Sequence, residues 1–450
     1  MGQKPGIVTR FFQLFYRPGG LSTDSFTIFL TDTVVMAIGM AGSILIARLF
    51  GPEGRGIITM VTLIPLTLFY LGSLGLPDSS TYFLSRFREQ ARENFFTIQA
   101  LAWVAGLITI AAAYLSFEWW YQPYKTYPRE LFLIVIPTSL AAILTLTLRY
   151  SLLGLGSSWG FNLMNVVQAL GSLTTIVIAG VFLHRDLRWF CYIYLIYPFV
   201  VVALGMGLVG SKPEIRGWPA GLNLRPVMSY AMRTYPQGIV FWLQSRLDHF
   251  LIAYFLEPAQ LGIYSIAIFL SENLLRITAA FQTALFPRVS ADQTDAKYLL
   301  AARVLRVTNM IDILLSIGII GLGYPIIRLL FGKDFAPAYL PLVVLVIGRI
   351  PAGLYKIASS TIAGSGRPGL LSLFGTIGIV VNAGLGLLLI PSLGLLGASL
   401  AKTISVFAQL IPAMIFFASQ AKLGWTQCLV MNREDWRLIK AKAVSWLAQS

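Results

Sequence analysis

Uninterrupted apolar runs limit what this chain can fold into. A bilayer core about 30 Å thick takes about 20 predominantly apolar residues per helix. About twelve runs of that kind follow one another, at 25–50, 56–76, 95–117, 131–152, 160–183, 189–210, 226–256, 260–287, 309–331, 338–361, 368–391 and 395–418. Membrane barrel strands are about ten residues long and alternate strictly, whereas runs such as 131–148 and 375–390 do neither. The expected fold is an all-α polytopic membrane protein. With 56% AVILMFWYC and 12% charged residues, against about 25% charged in soluble domains, the chain lacks the polar surface to face water. The first run is too long for a signal-peptide core and has no small-residue cleavage site behind it, so the first twenty residues are expected to stay attached.

The net charge of +15 is read as the positive-inside bias of a membrane protein rather than as a nucleic-acid footprint. Basic residues gather before the first run (Lys4, Arg10, Arg17) and in alternate loops: Arg86, Arg88 and Arg92, then Lys212, Arg216 and Arg225, then Arg288, Lys297, Arg303 and Arg306. The tail adds Lys422, Arg433, Arg437, Lys440 and Lys442, while opposite loops hold Arg55, Lys125, Arg129, Arg185, Arg188 and Lys333. This bias and the even number of spans put both termini in the cytoplasm. Cys191, Cys428, His184 and His249 are too few and too scattered for a disulfide framework or a metal site.

The chain also repeats itself. LIARLFGPEGRGI at 45–57 and LIAYFLEPAQLGI at 251–263 pair Leu45 with Leu251, Ile46 with Ile252, Ala47 with Ala253, Pro52 with Pro258, Gly56 with Gly262 and Ile57 with Ile263, at one constant offset. Both copies follow the first span of a six-helix half. Repeats of even helix number share one orientation, so two six-helix bundles related by a parallel pseudo-two-fold axis are expected, with a substrate site between them. The expected organisation is an N-terminal segment at 1–23, bundles at 24–210 and 226–418, a cytoplasmic linker at 211–225 and an amphipathic tail at 419–450.

Three blocks carry a family resemblance: ARLFGPEGRG followed by LGSLGLPDSSTYFLSR, then SRLDHFLIAYFLEPAQLGIYSIAIFLSENLL followed by ALFPRVS, and AGSGRPGLLSLFGTIGIVVNAGLGLLLIPSLGLLGASLAKTIS. They resemble the polysaccharide-transporter branch of the multidrug, oligosaccharidyl-lipid and polysaccharide (MOP) flippase superfamily. The resemblance implies a flippase, not an enzyme, in a bacterial cytoplasmic membrane. Its substrate would be an undecaprenyl-diphosphate-linked oligosaccharide for O-antigen, capsule or exopolysaccharide assembly. Membrane lipids and polysaccharide assembly proteins are the implied partners. The superfamily's peptidoglycan-precursor flippases have two further C-terminal helices, which makes that lipid a less expected substrate here.

Charges within spans are costly and normally face an interior or a wet cavity. In the second half they are Arg233, Arg246 and Asp248 on span seven, Glu272 and Arg276 on span eight, Arg349 and Lys356 on span ten, and Lys402 on span twelve. Arg349 and Lys356 are two turns apart on one face, about 10 Å, a ladder that suits a diphosphate through the Arg donor fork and the Lys point charge. The candidate diphosphate site is therefore Arg233, Arg246, Arg276, Arg349 and Lys356. The candidate cleft or ion-coupling acids are Asp32, Asp248 and Glu272, with H+ or Na+ as the coupling ion and no other cofactor. Glu272 and Arg276 also stand at i and i+4 and can simply pair. Arg246 and Asp248 are two apart, do not face each other, and need partners elsewhere. The Asp of SRLDHF matches a recurrent acidic position of the resembling family. Asp32 is expected to be an isolated, desolvated carboxyl, either coupling an ion, as first-helix acids do in related drug antiporters, or hydrogen-bonded structurally. Arg48, Arg149 and Arg328 lie near span ends and read as headgroup anchors.

Pro236 and Gly238 interrupt span seven and mark a candidate hinge or a static kink. At the ends, Val8, Phe11, Phe12 and Phe15, and in the tail Trp436, Ile439, Ala443 and Trp446, form faces suited to the membrane interface. A cation-coupled drug or metabolite antiporter is the alternative function, disfavoured by an excess of basic over acidic charge within the spans. A membrane polymerase or ligase is disfavoured by short outward loops, and direct ATP drive by the lack of a GxxxxGK[ST] loop.

Overall fold

A computed structural model describes residues 21–437 except 292, 293, 295, 368 and 434, and among these the regular structure is helical throughout. The long helices are α1 (Leu21–Gly72), α2 (Leu76–Arg86), α3 (Ala91–Leu115), α4 (Thr138–Gly154), α5 (Ser158–Val177) and α6 (Leu187–Gly210). They continue as α7 (Leu224–Phe255), α8 (Pro258–Ala291), α9 (Ala296–Ile326), α10 (Tyr339–Gly364), α11 (Gly369–Leu393) and α12 (Leu395–Ala421), followed by the short α13 (Trp425–Leu429). Among the described residues ten helical segments are long and apolar enough to cross a membrane. All twelve expected runs fall on helix, but the first two share α1, and α7 is diluted by Arg233, Gln237, Gln244, Arg246 and Asp248. The outward faces carry side chains such as Ile108, Ile196, Ile317 and Leu388, the surface of a protein solvated by lipid.

In each copy of the repeat a helix break precedes the proline. In α1 the helix breaks at Gly51 (φ 67°, ψ −173°) and resumes with Pro52. In the second copy α7 ends at Phe255 and α8 begins at Pro258. A proline is well placed in a first helical turn, where its missing N–H is not needed. Arg55 secures the first break: it is buried, not the loop residue expected, and donates to the Ser43 carbonyl (2.6 Å) and to Ser43 Oγ (2.9 Å).

The chain divides into two compact units between Ile239 and Val240, inside α7, rather than at the expected linker. The reason lies in the first half of α7. Val227 and Ala231 belong to the same core as Leu76, Phe83, Ile98, Leu144 and Leu148, Tyr230 stacks on Tyr82 with centroids 4.2 Å apart, and the Tyr235 hydroxyl donates to the Leu71 carbonyl at 2.5 Å. In the first unit α4 is central, packing on α2, α3, α5 and α6. In the second, α10 packs on α8, α9 and α12, around Leu305, Leu354, Ile357, Met414 and Phe417.

The turn from α1 to α2 depends on Gly75, whose φ of 75° suits glycine. Pro77 and Asp78 then open α2, the fixed φ and the negative charge that favour a helix start. A Cβ at Gly75 would lie 2.2 Å from the Ala231 carbonyl oxygen and 2.7 Å from Thr234 Oγ1. Gly75→Ala is expected to destabilise by about 2–3 kcal/mol through left-handed strain and overlap with backbone. Thermal unfolding in detergent measures this, and an unchanged midpoint would refute the assignment.

Candidate functional site

The charged residues of the second unit form a buried polar system. Asp248 on α7 is only 1% exposed. Its Oδ1 accepts from Lys402 Nζ of α12 at 3.1 Å, its Oδ2 accepts from the Tyr264 hydroxyl of α8 at 2.7 Å, and His249 Nδ1 lies 3.4 Å from Oδ1. The Lys402 ammonium also donates to the carbonyls of Gln244 (2.9 Å) and Ser245 (3.1 Å), so each of its three N–H donors has an oxygen. Gln244 itself bonds Gln409 of α12. Asp248 is thus neutralised by a lysine of its own unit.

Arg246, two residues before Asp248, finds Glu272 of α8 at 3.6 Å. The local Glu272–Arg276 pairing is replaced: Arg276 is exposed, and its Nε donates to Asn273 Oδ1 at 2.9 Å. The partners that Arg246 and Asp248 need therefore come from other helices. On α10, Arg349 donates from Nε (3.2 Å) and Nη2 (2.9 Å) to Ser271 Oγ, a neutral acceptor, within the electrostatic reach of Glu272, Tyr264, Asp248 and Arg246. Lys356, two turns on, is half-buried and within reach of Arg349, Asp312 and Glu272.

Asp312 on α9 is not among the acids that the sequence singles out, because MIDILLSIGII around it reads as plain apolar helix. An acid at 2% exposure inside a span is the signal that identifies it. Both its oxygens accept from the Thr278 hydroxyl of α8 (2.8 and 2.9 Å), and Gly353 of α10 makes room for them, since a Cβ there would lie 2.0 Å from Oδ2. The system thus holds Arg246, Arg349, Lys356 and Lys402 against Asp248, Glu272 and Asp312, a basic surplus.

The remaining candidates belong to the first unit. Arg233 belongs to the first unit's half of α7 and is exposed, as is Pro236. Gly238 is the next-to-last residue of the first unit, and α7 runs through it without a break. Asp32 is exposed on α1, within electrostatic reach of Arg149. Arg149 is no headgroup anchor: Nη1 donates to Gln168 Oε1 at 3.2 Å and the guanidinium lies 5.3 Å from the Phe161 ring centre. Among the described residues no three of His, Cys, Asp and Glu gather at a point that would hold a metal.

The described start of the tail docks on α9. Asp435 accepts from Arg306 Nε (2.5 Å) and Nη2 (3.0 Å), Arg306 Nη1 donates to the Gln427 carbonyl (2.9 Å), and Asn309 Nδ2 donates to the Leu429 carbonyl (3.0 Å). Cys428 is fully buried in the same core. The expected interfacial residues Val8, Phe11, Phe12, Phe15, Ile439, Ala443 and Trp446 lie outside the described residues.

The arrangement of helices is shared with solved transporters. An inward closed conformation of the lipid II flippase MurJ matches with a TM-score of 0.69 and 14% identity, covering 89% of this chain and 90% of the other. An inward-facing multidrug resistance MATE transporter of the MOP superfamily matches with a TM-score of 0.72 and 12% identity, covering 86% and 96%. These likenesses show that the chain shares the fold of those structures. In sequence, the probable low-salt glycan biosynthesis flippase Agl15 of Haloferax volcanii is 25% identical over 217 residues, 47% of this chain and 46% of the relative. The chain thus matches about half the length of that curated relative. The model of the family described as polysaccharide biosynthesis protein matches residues 44–340, well over half of the sequence, and the chain belongs to that family.

Proposed function

We propose that the protein is a flippase that carries an undecaprenyl-diphosphate-linked oligosaccharide across the bacterial cytoplasmic membrane, for O-antigen, capsule or exopolysaccharide assembly. It works by alternating access of two six-helix halves, with both termini cytoplasmic and with Pro236 and Gly238 as the flexing point. Family membership and the flippase named among its relatives support this reading.

The observation that carries it is the state of Arg349 and Lys356. Both sit on a membrane-spanning helix, and among the described residues neither has a carboxylate within ion-pairing distance, while Arg246 and Lys402 do. Two cations held two turns apart without an acid of their own suit a diphosphate, which enters a low-dielectric region only with cationic partners. In this reading a coupling H+ or Na+ acts at Asp312, because Asp248 already has Lys402.

Binding of undecaprenyl diphosphate to the intact protein in detergent, followed by native mass spectrometry, tests the assignment. Arg349→Ala and Lys356→Ala are each expected to weaken it by about tenfold or more, the worth of a charge-assisted hydrogen bond, while binding of uncharged undecaprenol stays unchanged. Equal diphosphate affinity in parent and variants would refute the site.

A further inference from the structure

Within the first unit a cavity of about 170 Å³ opens where the turn between α1 and α2 meets the end of α4 and the first half of α7. Its wall holds Tyr70, Tyr150 and Tyr235 together with Ser73, Asp78 and Thr234, and no lysine or arginine. The wall is fixed in place. Tyr235 is tied by its hydroxyl to the Leu71 carbonyl, Tyr70 lies edge-on to Phe69 with centroids 4.8 Å apart, and Gly75 brings the turn against the Ala231 carbonyl. Thr234 Oγ1 spends its proton on the Ala231 carbonyl at 3.0 Å and so offers only lone pairs. Asp78 is exposed at the wall, and among the described residues its carboxylate takes part in no hydrogen bond or ion pair.

The chemistry of this set selects a ligand. An acid with no base beside it repels a diphosphate, so the charged end of a lipid-linked glycan does not belong here. Aromatic faces accept the C–H face of a ring through their quadrupole, while a carboxylate and hydroxyl lone pairs accept hydrogen bonds from several O–H donors at once. The volume falls well below the roughly 300–1,000 Å³ of drug-sized sites, which disfavours a bulky organic cation and leaves room for a single ring. We propose that this cavity is a subsite for one neutral pyranose ring of the translocated glycan, with Asp78 accepting from its hydroxyls and the tyrosines packing on its face. The inference rests on the flippase reading, which is what brings a saccharide to a membrane span.

The test is saturation-transfer NMR on the full chain in detergent, with a panel of neutral methyl hexopyranosides as probes. Transfer to the ring protons of at least one glycoside is expected, weakened about tenfold in Asp78→Asn, which removes a charge-assisted bond, and similarly in Tyr150→Leu. Asp78 is exposed, so the isosteric Asn leaves packing intact. No transfer from any glycoside, equal transfer in parent and both variants, or displacement by tetraphenylphosphonium rather than by a second sugar would overturn the subsite. Translocation measured on the same samples separates the two claims. Lipid-linked glycan moved equally well by parent and variants, with no glycoside contact, leaves the flippase and removes the subsite. Glycoside contact through Asp78 in a protein that moves no lipid keeps the sugar site and removes the flippase.

Discussion

Lys402→Met is expected to destabilise the protein by about 3–5 kcal/mol, the cost of removing one partner of a buried ion pair. Lys402 is 8% exposed, and losing its ammonium leaves Asp248, 1% exposed, with only the Tyr264 hydroxyl and His249 beside its carboxylate. Two backbone carbonyls, of Gln244 and Ser245, lose a donor at the same time. Methionine keeps most of the stem, so the effect reports charge rather than volume. Combining it with Asp248→Asn removes both desolvation penalties, and the double variant should be more stable than the sum of the two single changes by about 2 kcal/mol or more. Detergent melting curves across this cycle supply the comparison. Strict additivity would mean that the two charges do not depend on each other.

Asp435→Ala is the second large effect, again about 3–5 kcal/mol for the pair it breaks, concentrated in one segment. Its side chain is fully buried, with Arg306 forked onto both oxygens, Arg303 Nε at 3.4 Å and the Asn432 amide at 3.2 Å. Without it Arg306 is left buried and unpaired, and residues 425–437 should come off α9. Hydrogen–deuterium exchange should rise across that segment and change little in the first unit; unchanged exchange would refute the clamp.

The pH dependence follows from the same contacts. Burial pushes the Asp435 carboxyl up, but the Arg306 hydrogen bond, the Asn432 amide and the charges of Arg306 and Arg303 outweigh it and hold the group below its ordinary value. A carboxyl lowered on folding contributes stability that is fully present above its unfolded value, about 3.9, and is lost as pH falls through the lower folded value. Docking should persist through neutral and mildly acidic pH and loosen only in strong acid.

Much of this was legible in the sequence, and the reasons are specific. Lipid imposes long apolar helices, so the runs could be located from their length. The Pro52 and Pro258 repeat marked two helix breaks because proline tolerates few other positions there. The charges at 246, 248, 349, 356 and 402 stood out because a membrane span penalises them. Their pairing was not legible. Lys402 reaches Asp248, and Glu272 reaches Arg246, across helices whose rotation no single run reports. Arg55 read as a loop residue because the break at Gly51 and Pro52 does not reveal that the chain folds back on Ser43. The docking of the tail's first part was not legible either, because it depends on one aspartate, Asp435, meeting one arginine of α9, Arg306.

Translocation in proteoliposomes shows whether Arg349 and Lys356 of α10, with no carboxylate at ion-pairing distance among the described residues, hold a lipid-linked diphosphate as it crosses the membrane. A fluorescent undecaprenyl-diphosphate oligosaccharide would be followed under an imposed proton or sodium gradient, with equal amounts of inserted parent and Arg349→Ala protein. The expected result is transport by the parent and a loss of about tenfold or more in the variant, matching its weaker hold on the diphosphate. Transport by Arg349→Ala at the parental rate, or none by the parent under either gradient, would contradict the account.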